Sequence, residues 1–241
     1  MPLIPDWLNL PFQQAIAALR RKVPIPSQSW QDFSGEAQNY AFTIAGLTQA
    51  ELLQELQDLV DEALNEGQSL EEFTERFQST IAGRWTASDA RARSILENNI
   101  RSVQRQGRYE QSNTPEVMNY RPYRIWRHRT SELGVPRPLH QALNGKVFRA
   151  DHPFWQTATP PCGWGCRCTF FNLSERDLVR MSKTVEEPPD PNTIADPGWN
   201  YTPGTGTAQQ RAEVLQNGLE RLSPPLRDQV QSDLRGRGII Q

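Results

Sequence analysis

The sequence predicts an α+β fold: a mainly α-helical N-terminal lobe followed by a small antiparallel β core that carries a His/Cys cluster. Three observations predict it. Apolar residues recur at spacings of three and four through the first half of the chain, the mark of amphipathic helices. Near Ser112 the pattern changes to period-two alternation rich in aromatic residues, the mark of strands. All three histidines and all three cysteines of the chain then fall between His128 and Cys168. On this reading residues 1–112 form the helical lobe, 113–185 the α+β core, and 186–241 a proline-rich arm with two C-terminal helices.

The elements follow in order. Pro11–Val23 places Phe12, Ile16 and Leu19 on one stripe, and Pro24 and Pro26 break it. Ser29–Gly46 is expected as a second helix with Phe33, Tyr40, Phe42 and Ile44 as its apolar contacts. Thr48 with Glu51 forms a capping-box pattern ahead of Leu52, Leu56, Leu59, Val60 and Leu64, and Gly67 supplies the stop. Ser69 with Glu72 is a second capping box, before Phe73, Phe77 and Ile81. Thr86 with Asp89 opens a long fifth helix that runs to about Gln111. Three strands are then expected, at Arg121–Arg129, Gly145–Ala150 and Cys166–Asn172, the second after an Asn144-Gly145 turn. Ser174 with Asp177 caps a short helix to Met181. Glu186–Gly206 lacks periodicity and is rich in Pro, Gly, Asp and Asn, so it reads as a linker, either flexible or draped over a partner. Thr207–Leu222 and Ser223–Arg235 are two amphipathic helices, the latter with prolines at its start, where they are tolerated.

Composition narrows the function. Hydrophobic residues make up 37% of the 241 residues, so the core is thin for the length. A net charge of −2 argues against a generic polyanion binder. No signal-peptide pattern opens the chain, and no stretch is long and apolar enough to span a bilayer, so a cytoplasmic origin without membrane contact is expected. An odd number of cysteines in such a compartment argues against disulfides.

Cys thiolate and His imidazole are the preferred zinc ligands, and four of them make a closed tetrahedral site. Cys166 and Cys168, two apart on an expected strand, point to one face. His140 follows the stiff Pro136-Arg137-Pro138 run that presents it there. The favoured metal set is His140, Cys162, Cys166 and Cys168, with His152 as the alternate and zinc as the metal. The competing reading has the same groups buried without metal, because the paired Cys-x₂-Cys spacing of common zinc modules is missing.

The run from Arg137 to Trp155 (Arg-Pro-Leu-His-Gln-Ala-Leu-Asn-Gly-Lys-Val-Phe-Arg-Ala-Asp-His-Pro-Phe-Trp) and the run Pro160-Pro161-Cys162-Gly163-Trp164-Gly165-Cys166-Arg167-Cys168 resemble the core of the phage Mu F-like head morphogenesis proteins. Leu10–Ile16 and Asp196–Gly204 extend the resemblance toward both ends. The resemblance implies a non-enzymatic minor head protein of the virion, several copies per particle, associated with the portal protein and other head proteins; a contact with packaged DNA is a separate expectation that rests on the basic residues described below. The resemblance assigns His140, Cys166 and Cys168 to recurring polar positions of the family, and Cys162 to a less regular one.

Other constellations carry two readings each. Tyr120, Arg121, Tyr123, Arg124, Trp126, Arg127 and Arg129 interleave bases with aromatics, as on a nucleic-acid surface. The negative total charge favours instead a strand whose aromatics face the core while its arginines pair with acids. Arg101, Arg105 and Arg108 share a helix face that suits DNA, an acidic partner or plain solvent. Trp155, Trp164 and Trp199 either cover the β core or anchor an interface, and Trp199 with Tyr201 suits docking on another chain. Asp151-His152 reads as a turn before it reads as an acid–base pair. No nucleophile elbow or phosphate loop is present. Three functions therefore remain: a structural head protein, a metal-dependent enzyme acting on nucleic acid or nucleotides, and a DNA-binding module.

Overall fold

The computed structural model describes residues 13–29, 32, 37, 39–130, 137–163, 165–204, 208–236 and 240. Phe12, Phe33, Trp164 and Thr207, all named above, lie outside the described residues. The chain divides into two compact units, one made of residues 1–107 with 205–241 and the other of residues 108–204. The C-terminal helices thus share a unit with the first half of the chain, and the arm belongs to the β core's unit.

In the first unit, helices α1 (Gln13–Arg20), α2 (Ala50–Glu66), α3 (Leu70–Ile81) and most of α4 (Asp89–Ser112) enclose a core of Ile16, Leu19, Leu53, Leu56, Phe73, Phe77 and Val103. Of these, Ile16, Leu19, Leu56, Phe73 and Phe77 come from the expected stripes. Gly67 ends α2 in the left-handed conformation at φ 65°, and its amide bonds the Ala63 carbonyl. Ser69 and Glu72 form the expected reciprocal capping box of α3. The other two start signals shift. Helix α2 begins after Gln49 with no side-chain cap, and α4 begins after Ser88, whose hydroxyl accepts from the Arg91 amide at 3.2 Å.

The expected helix at Ser29–Gly46 is replaced. Among the described residues, Ala41–Phe42 (β2) pairs in parallel with Val23–Pro24 (β1), and Ser27 bridges Ala45. Tyr40, Phe42 and Ile44 lie two apart, so their period is that of a strand, and all three are buried. Helices α9 (Ala208–Leu219) and α10 (Pro224–Gly236) pack Leu215, Leu219, Leu226, Val230 and Leu234 with Val23, Ile25, Tyr40 and Ala41 of this segment.

Lys22, between α1 and β1, is 5% exposed and its ammonium donates to Ser102 Oγ at 3.1 Å. Burial, aided by the charge of Arg105, lowers its pKa to about 7. Below that pH the folded and unfolded chains both carry the proton, and the fold bears the full cost of a buried cation. Between about 7 and the unfolded value near 10.4 the unfolded chain holds one proton more, so stability rises with pH. Urea unfolding should show a midpoint that climbs between pH 7 and 9, and Lys22→Met should flatten that climb. A parallel climb in the variant would assign it to another group.

The second unit holds α5 (Pro115–Tyr120), β3 (Tyr123–Arg127), α6 (Pro138–Ala142), β4 (Val147–Arg149), α7 (Phe154–Thr157), β5 (Thr169–Leu173) and α8 (Glu175–Arg180). The sheet order is β4-β3-β5, antiparallel throughout, with Ile125 opposite both Val147 and Phe171. All three expected strands are present with trimmed ends, and Ser174 caps α8 as expected. Cys166 and Cys168, however, precede β5, so both belong to the incoming loop.

Alternation divides the Arg-aromatic stripe between the two faces of β3. Trp126 is fully buried among Phe148, Phe154, Trp155 and Phe170. Arg124, also fully buried, lies 5.1 Å from the Phe170 ring centroid, 5.5 Å from that of Trp155 and 5.8 Å from that of Tyr109. Its Nη2 donates to Ser112 Oγ at 3.0 Å. The opposite face sets Ile125, Val147 and Leu173 against Leu178 and Met181. At the β5 edge, Arg108 and Arg121 donate to the Phe170 and Asn172 carbonyls at 3.3 and 3.2 Å. Charged side chains on such an edge discourage further strand pairing. The α4 arginine face is also occupied: Arg105 is buried, and Arg101 bonds Glu97 at 3.4 Å.

Candidate metal centre

Three elements deliver the cluster. Helix α6 starts with Pro138 in its first turn, where the missing amide costs nothing, and presents His140 inward at 3% exposure. The loop before β5 supplies Cys166 and Cys168, 1% and 4% exposed. Gly165, at φ 68°, makes the left-handed turn that doubles this loop back, and the Cys166 amide then bonds the Gly163 carbonyl at 3.1 Å. Cys162, fully buried, precedes that turn.

His140 Nδ1 lies 3.5 Å from Cys166 Sγ and 3.6 Å from Cys168 Sγ. A tetrahedral zinc with ordinary Zn–N and Zn–S lengths separates a nitrogen from a sulfur ligand by about 3.5 Å. The donor set therefore fits a zinc-type ion. The other ring nitrogen strengthens the match. His140 Nε2 sits 2.8 Å from the Ile194 carbonyl, which can only accept, so Nε2 carries a proton, and in the neutral ring that a metal binds the Nδ1 lone pair then faces the sulfurs. A ligating histidine is commonly oriented by such a second bond.

Of the four residues proposed as ligands, the structure gathers three, His140, Cys166 and Cys168, with their ligand atoms all within 4.8 Å of one another. Cys162 lies beside them, its Sγ 3.9 Å from His140 Nε2, on the ring edge that faces Ile194. His152, the alternate, is elsewhere: its Nδ1 accepts the Phe154 amide at 3.0 Å, and its Nε2 is 3.9 Å from Glu187. Its neighbour Asp151 bonds Arg149 twice, at 2.9 and 2.6 Å, so the Asp-His step is the turn it resembled.

His128 is the residue missed. Its Nδ1 is 3.3 Å from Cys168 Sγ. Only the β3–β5 register, which pairs Arg127 with Thr169, brings their outer neighbours His128 and Cys168 together.

The electrostatics favour charge separation in the cluster. Hydrogen bonds from Cys162 and Cys168 hold the Cys166 thiol well below its usual range, against the opposing effect of burial, and His140 adds to the lowering. Cys168 moves the other way, because its proton serves Cys166 and because it is buried near that charge. Burial lowers the His140 imidazolium, but the bond and charge of Cys166 with the Ile194 carbonyl outweigh it, and the net shift is upward.

Of the tryptophans with two readings, core cover or interface anchor, the two described ones are internal. Trp155 and Trp199 are 1% and 3% exposed, and Trp155 Nε1 donates to the Arg149 carbonyl at 2.9 Å. Tyr201 is buried as well. A thin hydrophobic core gains most from its largest side chains, and this unit sets Trp126, Trp155 and Trp199 inside.

Residues 54–171 match the family described as Phage Mu protein F like protein. The chain is 27% identical over 271 aligned residues to the putative capsid assembly protein F of Escherichia phage Mu, covering 92% of this chain and 61% of that protein. It is 32% identical over 161 residues to the Mu-like prophage FluMu F protein of Haemophilus influenzae, covering 61% of this chain and 38% of that protein. The chain thus spans less than two thirds of the length of either relative. No solved structure matches it. The matched stretch contains all four proposed ligands, and these likenesses support a Mu F-like phage protein.

Proposed function

We propose that this chain is a structural protein of a tailed-phage head, acting in head assembly by surface complementarity and without turnover. The observation that carries the reading is the alignment along 92% of the chain with a relative named for capsid assembly. Its partners on this reading are the portal protein and other head proteins, with packaged DNA nearby, and its place is the virion.

The His/Cys centre serves that role as a fold-stabilising zinc site formed by His140, Cys162, Cys166 and Cys168. A catalytic zinc keeps one position open to water and substrate. Here the four residues are at most 4% exposed, which supports a closed structural site over the metal-dependent enzyme. The burial of Arg124 and Trp126 takes two of the seven residues out of the alternating stripe on which the DNA-binding module rested, which weighs against that module. Among the described residues, no helix is long and apolar enough to cross a membrane.

The test is a particle preparation. Heads purified after induction should contain this chain by mass spectrometry, cross-linked to portal subunits. Heads of normal composition and yield formed without the chain would overturn the reading. Elemental analysis of the purified chain should give one zinc per chain.

A further inference from the structure

We propose that the segment from Pro191 to Tyr201 is a strap that the metal centre locks in place and that in turn retains the metal. The proposal rests on the zinc reading above and extends it to residues beyond the ligand set.

The segment has no periodicity to hold it, yet it is tied to the ligand-bearing residues at three points. The Ile194 carbonyl accepts the His140 Nε2 proton at 2.8 Å. The Asp196 amide donates to the Cys162 carbonyl at 2.9 Å. The Asp196 carboxylate accepts from Arg137 Nη1 at 2.7 Å, and Arg137 is the residue that opens helix α6. Gly163 makes this approach sterically feasible. A Cβ there would stand 2.2 Å from Asp196 Oδ2 and 2.6 Å from Arg137 Nη1, so the ion pair lies directly on the backbone of the cysteine loop. Beyond the ties, Ile194, Trp199 and Tyr201 are 4%, 3% and 8% exposed and give the strap its apolar hold.

One proton links strap and metal. A metal on His140 Nδ1 requires a neutral ring protonated at Nε2, and that Nε2–H is the group that bonds Ile194. Metal also fixes the cysteine loop whose carbonyl receives the Asp196 amide. Removing metal frees both anchors at once. By linkage, loosening the strap must weaken metal retention by the same factor.

Hydrogen–deuterium exchange on the full chain tests the first direction. Zinc-loaded and chelator-stripped protein, both kept reduced, are compared over residues 191–201, with helix α2 as the reference. Stripping should speed exchange at the Asp196 amide by about 5-fold or more relative to α2. Equal protection in protein shown to be free of zinc would overturn the strap and, with it, the fold-stabilising role of the metal.

Transfer of zinc to a chromogenic chelator tests the reverse direction in protein that starts folded and loaded. Asp196→Ala should release zinc about 5-fold faster or more. Asp190→Asn serves as the control, because Asp190 caps its own turn through the Asn192 amide at 3.0 Å. Wild-type release from Asp196→Ala, or equally fast release from the control, counts against the strap. A chain that neither carries nor takes up zinc removes the metal reading and the strap together.

Discussion

Replacing Cys166 and Cys168 together by serine is expected to abolish zinc binding and to unfold the 108–204 unit. Structural zinc contributes roughly 10–16 kcal/mol of apparent folding free energy in small zinc modules. Whole domains are stable by about 5–15 kcal/mol, so the loss is comparable to everything that holds the unit together. Both sulfurs are also packing atoms, set in one cluster with Trp126, Phe154, Trp155 and Phe170. Elemental analysis should fall from one zinc to none, and near-ultraviolet circular dichroism from the buried tryptophans should collapse. Far-ultraviolet signal should largely persist, because α2, α3 and most of α4 belong to the other unit. A double variant with native near-ultraviolet dichroism would show that the cluster is ordinary core, whatever its metal content.

Gly107→Ala should destabilise the protein, although helix propensity alone argues for the opposite. In an exposed helix interior, alanine is preferred to glycine by about 1 kcal/mol. Gly107 lies inside α4, but a Cβ there would stand 2.8 Å from the Ala15 nitrogen and 2.9 Å from the Gln14 carbonyl carbon. Both are backbone atoms, so no rotamer change relieves the contact and α1 must shift. Ala15, Ile16, Ala18 and Leu19 of α1 are each at most 2% exposed and would move with it. Overpacking of this kind costs about 1–3 kcal/mol, and more where backbone must move. A net loss of about 2 kcal/mol is expected, read as a fall of roughly 4–8 °C in the thermal midpoint. An unchanged or raised midpoint would show that α1 yields freely.

Local rules written in the sequence account for much of the fold. The stripes of α2 and α3, the capping boxes at Ser69 and Ser174, and the glycine stop at Gly67 are contacts within a few residues, so spacing alone reveals them. The error at Ser29–Gly46 came from counting apolar residues without weighing their period. Tyr40, Phe42 and Ile44 are strand-spaced, but a two-residue strand leaves too little alternation to outvote a helix. The lack of periodicity at Glu186–Gly206 leaves a flexible linker and a draped one equally open. Periodicity reports how a regular element buries one face, and it is silent about an irregular segment fastened at single points such as Ile194 and Asp196.

The candidate site divides in the same way. Crowding of His and Cys within a short stretch, beside motifs that resemble a known family, marked His140, Cys166 and Cys168 without any coordinates. The sequence by itself marked the His/Cys cluster, the glycine stop of α2, the caps of α3 and α8, and the likeness to the Mu F-like proteins, because these rest on residue type and short-range order. Only the tertiary structure decided which nitrogen of His140 faces the sulfurs, that His128 reaches Cys168 while His152 does not, and that a Cβ at Gly107 would meet the α1 backbone and one at Gly163 the Asp196–Arg137 ion pair. Those outcomes depend on strand register and on backbones far apart in the chain meeting at distances of a few ångströms, and local sequence carries no record of either.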